Sequence, residues 1–417
     1  MGLSRSEEIK RLLSNFMSLS VLQAFTYVLP LLTMPYLVRV LGTEKFGLIM
    51  FAQAFLMFFN ILVDFGFNLS ATREVAVHRD DKKKLTEIFS AVMTIKALLL
   101  LLSFIILSII IFSFKRFSAD WALYYLTFLW VIGQALFPVW YFQGLERMRY
   151  ITIVNITSKV IFTILIFVVI QVQSDYIYVP LINGFGFIVG GGISLWVMSK
   201  VFNQSFHLFP FSIIRKYFMD SAQYFLSRVS LAIYTSSNAF ALGVFTNNTM
   251  VGYYAIAEKL YQALQQIYQP IVQVLYPYIA KHKNIILYKK LFKLLGVLNV
   301  LGIIFLYFAG AYIFDFLFTE SIGSESLHVF HILLAAALVV VPSILLGYPF
   351  LGALGLAKYA NLSVVYGSIF HLIGLIVLVL SNRINIYSVA LMVLATESLV
   401  FGSRVYWIWQ KNLWQKQ

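Results

Sequence analysis

One arginine stands out in the apolar stretch 218–241, where it shares a helical face with three other polar residues: Ser221, Tyr224, Arg228 and Thr235. Residues three, four and seven positions apart project in similar directions from a helix. A charge in the middle of a membrane-spanning helix costs about 2.5–3.5 kcal/mol on insertion scales, so it requires a specific role. We interpret Arg228 as an anion-binding residue. The alternative is a structural ion pair with a neighbouring acid.

A lysine shows the same pattern in the stretch 151–171. Its polar residues also share one face: Thr152, Asn155, Lys159 and Thr163. Lys159 is therefore a second candidate for binding an anion. It lies near one end of the stretch, so the alternative is that its ammonium reaches the membrane surface along its aliphatic stem. For Lys96 and Arg404 this second interpretation is the one that we predict.

A polar ladder runs along the stretch 46–68 at intervals of seven, four and four residues: Gln53, Asn60, Asp64 and Asn68. At about 100° per residue these side chains project from one face, which inside a membrane must contact protein or water. The pattern returns 205 residues later in the chain, at Glu258, Gln265, Gln269 and Gln273. We predict an internal duplication from this repeat. For Asp64, an ion pair with Arg73 is an alternative role.

The stretch 253–277 carries amides and tyrosines along most of one face: Tyr254, Glu258, Gln262, Gln265, Gln269, Gln273 and Tyr276. Such side chains hydrogen-bond to sugar hydroxyls and stack on sugar rings. With the adjacent Lys259, this face predicts a water-filled passage for a polar substrate. The alternative is a buried network of glutamines between helices. Two acids within the apolar stretches, Glu258 and Glu397, are candidates for coupling to protons or cations.

The sequence lacks the motifs of the main enzyme classes. It contains no G-x-x-x-x-G-K-[ST], no H-E-x-x-H and no G-x-S-x-G. It also has no cysteine that could act as a nucleophile or a thiolate ligand. The glycines between 184 and 192 lie in an apolar run, where close helix packing explains them better than phosphate binding. We therefore predict no catalytic activity, no cofactor and no metal site.

The composition indicates many membrane-spanning helices. Of 417 residues, 61% are hydrophobic and 12% are charged, and the mean hydropathy is +0.85, far above the range of soluble proteins. The amino-terminal stretch has no A-x-A cleavage pattern, so we expect it to be retained. We predict twelve spanning helices, at 12–34, 46–68, 88–113, 120–142, 151–171, 178–199, 218–241, 253–277, 291–315, 327–349, 362–381 and 387–409.

The basic residues are distributed unequally between the predicted connecting segments. With a cytoplasmic amino terminus, and with Lys293 at the edge of its helix counted as cytoplasmic, 21 of the 31 lysines and arginines fall on the cytoplasmic side, 5 on the opposite side and 5 within helices. This bias predicts that both termini are cytoplasmic. It also accounts for the net charge of +14 without a nucleic-acid partner.

The longest connector, 200–217, divides the chain into two predicted six-helix domains, 1–210 and 211–417. Because six is an even number, both domains begin and end on the same side, as parallel repeats do. The predicted fold is an all-α integral membrane protein in which two parallel six-helix bundles surround a central cavity.

Four runs of sequence resemble a known family. They are PYLVRVLGTEKFG, FAQA and DFGFNLSATRE within 35–74, and FPVWYFQGLERM at 137–148. These runs are similar to those of the bacterial Wzx-type O-antigen flippases, polysaccharide transporters of the multidrug/oligosaccharidyl-lipid/polysaccharide exporter superfamily. The resemblance covers most of the amino-terminal half closely. In the carboxy-terminal half it is a resemblance of helix pattern and charge placement.

The resemblance implies a V-shaped pair of bundles around a cationic cavity. It implies a flippase that moves an undecaprenyl-pyrophosphate-linked oligosaccharide, the O-antigen repeat unit, across the bacterial inner membrane by alternating access. Arg228 and Lys159 would then contact the pyrophosphate, while the amide ladders carry the glycan. The implied partners are this lipid-linked oligosaccharide, membrane lipids and other polysaccharide-assembly proteins.

Two other classes of protein stay open on the residues alone. A multidrug or cation antiporter would share the architecture, but its site is expected to be acidic and aromatic. A membrane-embedded glycosyltransferase or polymerase is expected to need a large loop with catalytic residues. The sequence indicates neither the sugar, nor the coupling ion, nor the oligomeric state.

Overall fold

The computed structural model describes residues 5–318 and 320–414, except for the side chains of 5–27, 226–228, 230–235 and 320–322. Helices make up 87% of the chain, and the described residues contain no strand, which confirms the all-α prediction. The α-helices are α1 Arg5–Asp64, α2 Phe67–Val77, α3 Lys82–Ser113, α4 Lys115–Ser118, α5 Trp121–Leu136, α6 Val139–Gly144, α7 Met148–Val169, α8 Tyr178–Lys200, α9 Phe211–Phe245, α10 Asn248–Gln266, α11 Gln269–His282, α12 Ile285–Leu317, α13 Glu320–Leu345, α14 Ala357–Leu380 and α15 Ile386–Gln410.

Nine helical stretches of the described residues are long and apolar enough to cross a bilayer: Val28–Val77, Lys82–Ser113, Trp121–Gly144, Met148–Val169, Gln173–Lys200, Ile285–Leu317, Gly323–Gly352, Ala357–Leu380 and Ile386–Gln410. A hydrocarbon core of about 30 Å needs about 20 helical residues. The protein is therefore a multi-pass membrane protein. The predicted spans 218–241 and 253–277 lie in α9 and in α10 with α11, outside these nine stretches. The count of twelve and the arrangement in two bundles stay predictions.

The second predicted helix, 46–68, is shorter in the structure. It forms the last part of α1, which is kinked at Gly42 (φ 75°) and ends at Asp64. Phe65 (φ 44°) and Gly66 (φ 79°) then take left-handed conformations, and α2 begins as a separate helix. A left-handed residue cannot continue a right-handed helix. The carboxylate of Asp64 therefore stands at a helix end, within the stretch Val28–Val77.

Two prolines interrupt other predicted helices. The predicted helix 120–142 divides at Pro138 into α5 and α6, because proline lacks a backbone donor. In the carboxy-terminal half, Pro349 cannot donate to the Leu345 carbonyl four residues earlier, and α13 widens into a π-helical turn, Leu346–Gly352.

The packing of the chain divides it into two compact units, one formed by residues 40–240 and the other by 1–39 with 241–417. In the first unit, α5 and α8 approach closely. A methyl group added at Gly184 would lie 2.5 Å from Leu129 Cβ, and one at Gly191 would lie 2.7 Å from Leu136 Cβ. The prediction that these glycines serve helix packing is confirmed for Gly184, Gly190 and Gly191, whereas Gly192 has nothing within 4 Å of an added Cβ.

In the second unit, α10, α13 and α15 pack on one another. Tyr288 and Phe350 stack in its core, with ring centroids 4.7 Å apart. Buried Asn299 donates from Nδ2 to Ala337 O at 3.1 Å and accepts from the Tyr268 hydroxyl at 3.2 Å. The limits of the two units differ from the predicted domains, 1–210 and 211–417, and those two six-helix domains stay a prediction.

Candidate functional site

A polar cavity of about 130 Å³ lies among the apolar helices of the unit 40–240. It is lined by side chains of α1, α2, α3, α5 and α6: Met57, Asn60, Ile61, Val63, Asp64, Asn68, Lys96, Gln134, Ala135, Phe137 and Val139. At about 30 Å³ per molecule of liquid water, this volume holds roughly four waters or one small ionic group. Its amides and charges make it a site for a polar ligand, since empty cavities are typically apolar.

A buried lysine and a partly buried aspartate face this cavity. Lys96 Nζ lies 4.0 Å from Asp64 Oδ1, and the two side chains are 4% and 17% exposed. Asn68 Nδ2 donates to the same Asp64 oxygen at 2.7 Å. The prediction that the Lys96 ammonium reaches the membrane surface is wrong, because the side chain is buried midway along α3. Among the described residues, the basic group that faces Asp64 is Lys96.

The cavity lies at the break between α1 and α2. Asn68, in the first turn of α2, donates to the Asp64 carboxylate at the end of α1. Of the predicted binding residues, Asn60 and Asp64 line the cavity, whereas Gln53 is half-buried and lies outside its lining. Sequence reasoning missed Gln134. Its signal is an isolated amide in the last turn of an apolar helix, beside a proline.

Helix α9 runs antiparallel to α1 beside this site. A Cβ on Gly66 would lie 2.7 Å from Tyr224 Cβ, and further along the two helices the rings of Phe55 and Phe240 stack at 5.7 Å. The Arg228 side chain lies outside the described residues, so its predicted contacts stay a prediction.

The polar face predicted around Lys159 lies on α7. Thr152 Oγ1 donates to Met148 O at 3.2 Å, and Asn155 Nδ2 donates to Ile151 O at 2.9 Å. Two of the predicted polar groups therefore bond to their own helix. Lys159 itself is half-buried and stays a candidate.

The predicted coupling acids belong to the other compact unit and lie on different helices. Glu258 of α10 is half-buried, and Glu397 of α15 is 7% exposed. Both carboxylates are within electrostatic reach of the Tyr261 hydroxyl, which is itself buried. Thr396, next to Glu397, lies 2.9 Å through Oγ1 from Nδ1 of the fully buried His371. The structure thus brings the two acids close to one tyrosine.

The amides predicted along 253–277 do not form one continuous ladder. Gln262 and Gln265 lie in α10, which ends at Gln266, whereas Gln269 begins α11. These three glutamines are half-buried, as is Lys259. The helix break therefore divides the predicted passage face into two shorter faces.

Arg404 of α15 bonds to the broken end of α13. It is 8% exposed, and its Nη1 donates to Ser343 O at 2.6 Å and to Ser343 Oγ at 3.1 Å, while Nε donates to Ser363 Oγ at 2.9 Å. A Cβ on Gly347 would lie 3.0 Å from Nη1. The prediction that Arg404 reaches the membrane surface is wrong, because its guanidinium is satisfied inside the protein.

Comparison with known proteins gives a family match over most of the chain. The family described as "Polysaccharide biosynthesis protein" matches residues 12–283. Two curated relatives, from Escherichia coli (strain K12) and Shigella dysenteriae, are both named "Putative O-antigen transporter". The first is 32% identical over 289 residues, 66% of this chain and 68% of the relative. The second is 26% identical over 298 residues, 70% of this chain and 75% of the relative.

Solved structures of two kinds of transporter share the fold. The structure "Lipid II flippase MurJ, inward closed conformation" has a TM-score of 0.72 at 15% identity and covers 93% of this chain and 87% of its own. An inward-facing multidrug resistance MATE family transporter of the MOP superfamily has a TM-score of 0.71 at 11% identity and covers 94% of both chains. At these identities the likeness establishes the fold. With the family match, it identifies the chain as a multi-pass member of the polysaccharide biosynthesis protein family that has the fold of the MOP superfamily.

Proposed function

We propose that this protein is a flippase that moves an undecaprenyl-pyrophosphate-linked oligosaccharide, an O-antigen repeat unit, across the bacterial inner membrane by alternating access. The observation that carries the proposal is the cavity lined by Asn60, Asp64 and Lys96 within apolar helices of a polysaccharide biosynthesis protein. Such a cavity offers charge and hydrogen bonds to a headgroup. The exposed apolar side chains of α3 and α12 leave the lipid tail an apolar surface. The names of the curated relatives support the same substrate class.

Arg228 and Lys159 are the proposed contacts of the pyrophosphate. A fixed positive charge suits phosphate oxygens, and arginine adds a planar pair of donors. The polar side chains proposed to contact the glycan are Gln53, Asn60, Asp64, Lys259, Gln262, Gln265 and Gln269.

Glu258 and Glu397 are the proposed coupling residues. Both acids are within electrostatic reach of one buried tyrosine, and a carboxylate in such apolar surroundings is costly to keep ionised, which favours its binding a proton. The same acids favour a second candidate function, a multidrug or cation antiporter. Lys96 argues against it, since a buried ammonium in the cavity repels a cationic substrate.

The proposal places the protein in the inner membrane with both termini in the cytoplasm, beside other polysaccharide-assembly proteins. It is tested in liposomes that contain the purified protein and a fluorescent lipid-linked oligosaccharide. A membrane-impermeant reductant then reports the labelled lipid that has reached the outer leaflet, with and without a proton gradient. We expect protein-dependent movement between leaflets. A wild-type protein that moves no labelled lipid under either condition contradicts the proposal.

The role of Arg228 is tested in the same liposomes. Arg228→Ala is expected to lose most of the movement at normal abundance, while Arg228→Lys keeps the charge and part of the activity. Arg79→Ala is the matched control, because the Arg79 side chain is 57% exposed. Wild-type movement by Arg228→Ala contradicts the anion-binding role. A fall in abundance alone supports the structural ion pair.

A further inference from the structure

Lys96 is a buried cation whose hydrogen-bonding capacity is unused. Its side chain is 4% exposed, and within the described part of the chain its ammonium has one polar partner, the Asp64 carboxylate at 4.0 Å. That distance exceeds a hydrogen bond, so none of its three N–H groups has an acceptor there. Arg404 shows the contrast, because an arginine buried to a similar degree donates to Ser343 and Ser363.

The surroundings of Lys96 form a built site. The cavity beside the ammonium is lined by the amides of Asn60 and Gln134, which can donate to an anion. Asp64 supplies the negative charge, and Asn68 holds one oxygen of that carboxylate at 2.7 Å. A buried ammonium is costly unless an anion is in contact with it, so the site favours a ligand that brings oxygen atoms closer than Asp64 does.

We propose that Lys96 binds a phosphoryl group of the substrate's diphosphate, and that Asp64 is the counter-ion that Lys96 exchanges for it. This inference rests on the proposed function and adds Lys96 to the contacts suggested for Arg228 and Lys159. Charge-assisted hydrogen bonds to phosphate form at about 2.7–2.9 Å. They replace an ion pair at 4.0 Å, so the exchange is favourable. The cavity, about four waters in volume, accommodates one phosphoryl group.

The exchange predicts opposite effects for the two partners. Lys96→Gln removes the cation and weakens anion binding. Asp64→Asn removes the competing carboxylate and strengthens it. A purely structural ion pair predicts no tightening by Asp64→Asn, because that change leaves the buried Lys96 charge uncompensated and destabilises the fold around it.

The test measures binding of radiolabelled inorganic pyrophosphate to the full-length protein in lipid nanodiscs, by equilibrium dialysis. We expect Lys96→Gln to weaken binding by about tenfold or more, as for a lost hydrogen bond to a charged group. Asp64→Asn is expected to tighten binding several-fold, and the double variant to resemble Lys96→Gln. Lys83→Gln, an exposed lysine of the same helix, is the control and is expected to match the wild type. Lys96→Arg keeps the charge, and its affinity for pyrophosphate is expected to stay within a few-fold of that of the wild type.

Several results overturn the inference. The first two are binding of pyrophosphate by Lys96→Gln with wild-type affinity and weaker binding by Asp64→Asn. The third is the absence of saturable binding by both the wild type and Asp64→Asn. The fourth is preferential binding of glucuronate, which would make the ligand a sugar carboxylate. If Lys96→Gln does not accumulate, the tightening by Asp64→Asn decides the question. The outcome is separate from that of the leaflet assay. Lys96-dependent pyrophosphate binding without lipid movement contradicts the proposed function, and lipid movement that is unchanged in Lys96→Gln contradicts only the present inference.

Discussion

Gly66→Ala is expected to destabilise the protein by about 2–5 kcal/mol. Gly66 has φ 79°, a left-handed conformation that costs an L-residue about 1–2 kcal/mol. An added Cβ would also lie 2.7 Å from Tyr224 Cβ and 2.8 Å from Phe225 N. Because the obstacle includes the backbone of α9, relief requires that helix to shift. Overpacking of this kind typically costs about 1–3 kcal/mol.

Two other glycines separate these contributions. Gly355 has φ 80° but nothing within 4 Å of an added Cβ, so Gly355→Ala is expected to cost only the conformational term of about 1–2 kcal/mol. Gly302 lies inside α12 with open space around it, and Gly302→Ala is expected to stabilise the protein by about 1 kcal/mol through helix propensity.

The three variants are compared by denaturant titration of the purified protein in one detergent, with tryptophan fluorescence as the signal. From the most to the least stable, the expected order is Gly302→Ala, wild type, Gly355→Ala and Gly66→Ala. If Gly66→Ala and Gly355→Ala unfold at the same denaturant concentration, the close approach of α9 does not restrict position 66. If Gly66→Ala is as stable as the wild type, the left-handed turn after Asp64 is also refuted.

Three further predictions use the same protein. Tyr124 is fully buried and its hydroxyl has no hydrogen-bond partner within the described ranges, so Tyr124→Phe is expected to be neutral or to stabilise by up to about 1 kcal/mol; a clear loss in the denaturant titration would speak against this. Arg404→Lys keeps the charge but loses the planar guanidinium that bonds to both Ser343 and Ser363. It is expected to lower the free energy of unfolding by about 1.5–3 kcal/mol in the same titration. Unchanged stability would show that these bonds are dispensable. Single cysteines at positions 83 and 283, in a chain that has none, are expected to be shielded from an impermeant thiol reagent outside intact cells. Labelling of either one would reverse the predicted orientation.

The periodicity of the sequence predicted which residues share a helix face, but not which other helix packs against that face. Asn60 and Asp64 share a face in the sequence, and both line the cavity. The position of Lys96 within an apolar helix was equally visible. Its interpretation failed because nothing in the α3 sequence indicates that the carboxylate ending α1 lies across from it. Arg404 failed in the same way, since its acceptor is on α13, a different helix.

The helix breaks differ in how far the sequence could predict them. Pro138 carries its own signal, a missing backbone donor, and a continuous helix through it conflicts with that property. A single glycine in an apolar run, such as Gly66, is compatible with an unbroken helix. Its left-handed turn coincides with the close approach of Tyr224 in α9, a contact between distant parts of the chain. The end of α1 at Asp64, and therefore the cavity, was beyond prediction from local sequence.

One compact unit combines two distant parts of the chain, and hydrogen bonds from Arg39 join these parts. Arg39 donates to Phe316 O at 2.6 Å and to Leu317 O at 3.0 Å, and so complements the negative end of α12. The acceptor Phe316 is synthesised 277 residues after Arg39. At about 5–20 residues per second, the interval is on the order of tens of seconds. Throughout it, the first helix resides in the bilayer without the partner that Arg39 binds. The bond that joins Arg39 to the end of α12 can therefore form only late in the synthesis of this unit.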